Sequence, residues 1–147
     1  MAGLAHSPLR SNPVAAISGF AIESAQGLAG AQAIADLTGR IWDEDVGVSD
    51  YPALARHIQL FPAGHLVAGY GQNPVGSAAG FPAAAVPTFA ELNRGVYRLY
   101  MPCGPLYYLH LIQGLPEHRG RGLGQRLLER QLDIARAAGC TEVIGEA

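Results

Sequence analysis

The sequence predicts a mixed α/β domain, and three features predict it. A β-prone run at 106–112 leads into a glycine-rich loop, a stretch of helical period and a second β-prone segment from Glu142. Two shorter β-prone runs, 65–70 and 75–81, flank Gly71-Gln-Asn-Pro74 and read as a hairpin. Ahead of the hairpin, apolar residues recur at helical spacing. The order is therefore strand, helices, hairpin, and then a βαβ-like unit.

Each element has its own signature. Residues 14–22 read as a first strand ending at Phe20 and Ile22, after a flexible start at 1–13. Leu28, Ala31, Ile34, Leu37 and Ile41 mark one face of a helix from about Gly27 to Trp42, weakened by Gly30 and Gly39. Ser49-Asp50-Tyr51-Pro52 offers an N-cap and an early-turn proline for a short helix at 53–60. The stretch 82–105, rich in Pro, Ala and aromatic residues, reads as a loop with a strand at 96–100. Leu123, Leu127, Leu128, Gln131, Ile134, Ala135 and Ala138 line one face of the last helix. Gly139 stands where a left-handed C-terminal cap belongs.

Composition narrows the class. At 147 residues the chain fits one domain, placed at 14–147. With 49% hydrophobic and 15% charged residues it has the means to bury a core. A net charge of -2 gives no global pull toward nucleic acid or an anionic membrane. The apolar run at 14–22 is too short to span a bilayer as a helix, and no cleavage signal follows it. Cys103 and Cys140, without a CxxC or a ligand-like cluster with His, suggest neither a disulfide scaffold nor a metal site; a cytoplasmic setting is expected.

The loop at 116–125, Pro-Glu-His-Arg-Gly-Arg-Gly-Leu-Gly-Gln, carries the chemistry. Gly120, Gly122 and Gly124 free the backbone to turn sharply and expose successive N–H groups at a helix start. Those groups lack intrahelical partners, and the helix dipole favours an anion there. Arg119, Arg121 and Arg126 add positive charge. A P-loop is excluded, because the chain has no lysine. A dinucleotide fingerprint is disfavoured, because Gly114 to Arg119 intervene between strand and glycines and Gly124 is followed by Gln-Arg-Leu.

Arg119-Gly-Arg-Gly122-Leu-Gly124, with Pro116-Glu117 before it, resembles the acyl-coenzyme A signature of the GNAT N-acetyltransferase superfamily, Arg/Gln-x-x-Gly-x-Gly/Ala. The preceding strand and the following amphipathic helix fit the same pattern over some thirty residues. A weaker likeness upstream, at Arg40-Ile-Trp42, 64–70, Val75-Gly76 and Gly80-Phe-Pro82, is to a poorly characterised bacterial subgroup of that superfamily.

The resemblance implies a mixed central sheet with helices on both faces. It implies acetyl-CoA as cosubstrate without a metal, and an amine of unidentified structure as acceptor. Backbone groups near Ile112, Gln113 and Gly114 would pair with the pantetheine arm. The backbone of Arg119, Gly120, Arg121, Gly122, Leu123, Gly124 and Gln125 would hold the diphosphate. Gly114, where the family commonly has Val, suits a bulge. His110 is the candidate base; His118 reads as a solvated loop residue, Tyr107 and Tyr108 as packing, and Cys140 as a small core residue. Asp43, Glu44 and Asp45 read as a solvated helix end. The family fold normally continues beyond this point with a helix and further strands, so a fragment, with an exposed strand edge open to association, is expected. A noncatalytic acyl-CoA-binding or regulatory module of the same fold is the alternative, and another kind of nucleotide-binding domain stands third.

Overall fold

The computed structural model of the chain describes residues 19–42, 51–71 and 73–145. The expected flexible start, the first half of strand 14–22, the acidic group at 43–45 and the capping pair Ser49-Asp50 lie outside the described residues. In chain order the elements are β1 (Phe20–Ser24), α1 (Gly27–Trp42), α2 (Tyr51–Leu60), β2 (His65–Tyr70), β3 (Asn73–Ala83), α3 (Phe89–Asn93), β4 (Leu106–Gly114), α4 (Leu123–Ala137) and β5 (Glu142–Gly145). Short 3₁₀ turns stand at Pro62–Gly64, Val96–Leu99 and Pro116–His118.

The five strands form one sheet in the order β1-β2-β3-β4-β5. Pairing is antiparallel from β1 to β4 and parallel between β4 and β5, with α4 as the crossover. Leu66 and Val67 are neighbours on β2 and therefore point to opposite faces. Leu66 joins Ala78 and, from α4, Leu123 and Leu127 in one buried cluster. Val67 joins Ala31 and Ile34 of α1 and Leu54 and Ile58 of α2 in another. Helices thus cover both faces of a mixed sheet, as expected from the sequence.

Several boundaries and two elements differ. Strand β1 runs on to Ser24, and α2 begins at Tyr51 rather than 53. Leu28, on the helical stripe by spacing, is exposed. The expected strand at 96–100 is a 3₁₀ turn over Val96–Leu99, and only Tyr100 makes a bridge, to Ala83. Gly95 at φ 113° redirects the chain there, and Val96, Tyr97, Leu99 and Tyr100 pack on Phe81 and Tyr108 rather than pairing edge to edge. Helix α3 was not expected. Its start carries a capping box: Thr88 Oγ1 accepts from the Glu91 N–H at 3.1 Å, and Glu91 accepts from the Thr88 N–H at 2.8 Å. Helix α4 ends in a Schellman motif, with Gly139 at φ 85°, Cys140 N–H donating to Ala135 and Gly139 N–H to Arg136.

The bulge in β4 sits four residues before the expected Gly114. Ala79 pairs with Leu111 and Gly80 with Leu109, so His110 is the extra residue. Gly114 instead pairs regularly with Gly76, and a Cβ on it would lie 3.3 Å from Leu123 Cδ2. Its small size lets the start of α4 sit close on the strand.

Beyond the bulge α4 is tied down by a buried polar contact. The Tyr107 hydroxyl donates to Gln131 Oε1, and Gln131 Nε2 donates to the Gly64 carbonyl at 3.0 Å. Gly80 lies against this pair: an added Cβ would stand 2.4 Å from the Tyr107 ring and 2.8 Å from Gln131 Oε1. Gly80→Ala is therefore expected to destabilise the fold by about 1–3 kcal/mol through overpacking, read from the urea midpoint. An unchanged midpoint would show that the sheet can yield at Gly80.

Candidate functional site

Strand β4 delivers the chain to the loop, and α4 carries it away. After Leu115 the 3₁₀ turn Pro116–His118 folds back, with the His118 N–H on the Leu115 carbonyl at 3.0 Å and the Arg119 N–H on Pro116 at 3.1 Å. Gly120 follows at φ 80° and Gly122, the N-cap of α4, at φ 81° and ψ 10°. Both are left-handed, a region L-residues with a Cβ rarely occupy. Gly122 has no side chain with which to cap the helix, so the first N–H groups of α4, on Leu123, Gly124 and Gln125, point outward without one. A Cβ at Gly120, Gly122 or Gly124 would meet nothing within 4 Å. Here glycine serves backbone conformation and open approach, unlike at Gly80.

The end of β4 adds a second row of backbone groups. Leu115 N–H donates to the Val75 carbonyl at 2.9 Å, toward β3. Alternation along an antiparallel pair turns Gln113 and Leu111 the same way and leaves the amides of Ile112 and Gly114 facing away from β3. On that side, among the described residues, pairing with β5 runs only to Leu109↔Gly145. Among the described residues, Ile112 and Gly114 thus present donors and acceptors with no strand partner on that side.

These two rows border one cleft of about 390 Å³. Ile112, Gln113, Gly114 and Leu115 line it from the strand, and His118, Arg119, Gly120, Gly122, Leu123 and Gly124 from the loop and helix start. Ile41, at the end of α1, closes it. Of the residues expected from sequence, Arg121 and Gln125 are not in the lining. Gln125 donates along the helix surface to Glu129 at 3.2 Å, and Arg121 lies with its guanidinium carbon 5.5 Å from the centre of the Tyr70 ring. The Gln113 side chain is buried in the other direction, donating to Ser77 at 2.9 Å and Thr38 at 3.0 Å. His118 is half-buried rather than solvated, packed against Phe20 and Tyr70.

His110 lies apart from this cleft, in a second group of polar and aromatic side chains. Its ring is 5.6 Å from that of Tyr97 and 6.3 Å from Tyr108. Behind Tyr97, which stacks on His57 at 4.6 Å, two fully buried histidines meet: His57 Nδ1 and His65 Nε2 are 2.7 Å apart. Their pairing joins α2 to β2 and has no sequence signature. Burial lowers the pKa of His57 to about 4, helped by the charge of His110. Burial likewise lowers that of His65 to about 3, with His57 and His110 adding to it. Both are neutral at pH 7, and one donates to the other. Tyr107 and Cys140 are pushed upward, chiefly by burial, so neither supplies an anion near neutral pH. Among the described residues no cluster of His, Cys, Asp or Glu is arranged to hold a metal ion, and no helix is long and apolar enough to cross a membrane.

A bare helix start beside an open strand end has the donors to suit a diphosphate on a flexible arm. The sequence model of the Acetyltransferase (GNAT) family matches residues 31–147. The chain belongs to the GNAT acetyltransferase family. No curated protein sequence matches it. Among solved structures, it is similar to the loading GNATL domain of CurA from Lyngbya majuscula, with a TM-score of 0.70 and 22% identity over 86% of this chain and 63% of that one. It is similar to the GphF GNAT-like decarboxylase in complex with isobutyryl-CoA, with a TM-score of 0.69 and 26% identity over 84% and 64%. The aminoglycoside N-acetyltransferase AAC(6')-Iy in complex with CoA follows at 0.64 and 17%, over 87% and 76%. This GNAT chain spans less than two thirds of the length of the first two.

The histidine pair makes a pH prediction. Both groups bind a proton less tightly folded than unfolded, so between about pH 6.5 and 4 the unfolded chain holds more protons. Their contribution is complete above pH 6.5 and is lost as pH falls through that window, by up to about 1.4 kcal/mol per pH unit for each histidine. Urea midpoints measured from pH 7.5 to 4.5 should fall steadily below pH 6.5; a flat profile to pH 5 would contradict the burial of the pair.

Proposed function

We propose that this chain binds an acyl-coenzyme A, acetyl-CoA first among them, and transfers its acyl group to an amine. The observation that carries the reading is the left-handed, uncapped start of α4 opening on the same cleft as the amides of Ile112 and Gly114. The diphosphate would accept from the N–H groups of Leu123, Gly124 and Gln125, each such charged hydrogen bond contributing about 1.5–3 kcal/mol. Arg119 adds charge at the mouth. The pantetheine amides would pair with Ile112 and Gly114 as a further strand does, on the side of β4 away from β3.

The bulge is the place for the thioester, because there β4 breaks its regular pairing. In acyl transfer the amine nitrogen bonds to the thioester carbon, the carbon–sulfur bond breaks, and the thiolate takes up a proton. The attacking ammonium must first lose one, and His110 is the residue we assign to that proton. His110→Ala is expected to lower turnover by about 10²–10⁴-fold with CoA affinity unchanged.

One observation favours a second reading. One of the similar solved structures, at 26% identity, is a GNAT-like decarboxylase in complex with isobutyryl-CoA. The same cleft would then hold a 2-carboxyacyl-CoA. The bond to the carboxylate breaks, carbon dioxide leaves, the electron pair passes to the α-carbon, and His110 returns a proton there.

Calorimetric titration with CoA tests the common part, and Gly122→Ala, which puts a Cβ on a φ of 81°, should weaken binding by about tenfold. Thiol release from acetyl-CoA over an amine panel supports the transferase. Carbon dioxide release from malonyl-CoA, with no amine and no free thiol, supports the decarboxylase. Tight binding with neither product leaves the noncatalytic acyl-CoA module. No binding of CoA overturns all three.

A further inference from the structure

We propose that Tyr70 is a positioning residue for the diphosphate loop: its ring contacts both Arg121 and His118 and so fixes the glycine turn between them. The inference rests on the acyl-CoA reading above. Tyr70 ends β2 at the turn into β3, far in sequence from the loop, and nothing in its local sequence marks it.

The contacts bracket the loop. The Arg121 guanidinium carbon lies 5.5 Å above the Tyr70 ring centre, and the His118 ring is 5.2 Å from it at 51°. Phe20 backs both rings, 5.6 Å from Tyr70 and 5.9 Å from His118. Between the two anchored residues lie Arg119 and Gly120, and Gly120 is one of the two left-handed glycines of the turn. Glycine turns of this kind are mobile unless their flanks are held, since Gly loses the most backbone freedom on ordering. An anion binds more tightly to a turn already ordered.

The ring lies where a glycine makes room for it. Gly19 precedes β1 at φ 81°, and a Cβ there would stand 2.6 Å from Tyr70 Cε1. Tyr70 remains 42% exposed, so its outer face is free to carry a guanidinium where burial of a core side chain would exclude one. A guanidinium on an exposed ring contributes modestly, which sets the size of the effect. With its fork on the ring, Arg121 acts on the diphosphate through loop position rather than as a direct ligand.

The test is calorimetric titration of CoA, 3'-dephospho-CoA and 4'-phosphopantetheine into the wild-type chain and variants. Tyr70→Leu keeps bulk and loses the π-face; it should weaken CoA and dephospho-CoA binding about three- to tenfold. Tyr70→Phe should restore both to within about twofold, because the ring face remains. In an Arg121→Gln background Tyr70→Leu should cost less, a non-additivity a merely structural tyrosine would not give. The loss should be smaller with 4'-phosphopantetheine, which keeps only one of the two phosphates. Gly19→Ala, whose Cβ would stand 2.6 Å from Tyr70 Cε1 and displace the ring, should give the same diphosphate-selective loss should Tyr70→Leu fail to fold.

Wild-type affinity in Tyr70→Leu, full additivity with Arg121→Gln, or an equal loss with 4'-phosphopantetheine overturns the inference alone. A wild-type chain that binds no CoA overturns the acyl-CoA reading and this inference with it.

Discussion

Three backbone N–H groups at the start of α4 have no carbonyl within the helix to bind, and the residue before them is a glycine with nothing to offer. Most helices answer this with a Ser, Thr or Asp side chain, as Thr88 does for α3. In α4 the vacancy is kept open by Gly122 in a left-handed conformation, and much of the surrounding structure serves to aim it. Gly114 and Gly76 admit Leu123 close to the strands. Gln131, just over two turns further on, fastens the helix to Tyr107 and to the Gly64 carbonyl.

The second constraint is the interruption of β4. A strand paired on both sides throughout would have no amide left for a ligand. The extra residue at His110 resets the register against β3, and beyond Leu109 the edge away from β3 carries no described partner. The same irregularity sets His110 beside Tyr97 and Tyr108, in front of the buried His57–His65 pair. The candidate recognition edge and the candidate base therefore lie on one strand, whose pairing with β3 holds both in the sheet.

How much of this was legible in the sequence depended on the range of the interaction. The hairpin, α1 and α4 were readable because a period of 2 or 3.6 and a terminal glycine are local signals. The uncapped loop was readable for the same reason, since three glycines before a helical run leave few other uses. The capping box at Thr88-Phe-Ala-Glu91 was also local and could have located α3. Val96 to Tyr100 misled, because branched and aromatic residues favour strands until a turn at Gly95 and burial against Phe81 and Tyr108 outweigh that preference. The bulge at His110, the histidine pair, and the contact of Arg121 with Tyr70 depend on register and on distant elements, and no short window contains them. The bulge was expected at Gly114 because glycine often marks one, whereas this glycine answers to the packing of Leu123.

The central claim is that the start of α4 is an anion site for CoA, and amide NMR on the 15.4 kDa chain addresses it residue by residue. On titration with CoA, the amide resonances of Leu123, Gly124 and Gln125 should move most, those of Ile112 and Gly114 should follow, and inorganic pyrophosphate should reproduce the first group alone. Shifts centred elsewhere, with the α4 amides unmoved, would contradict the account.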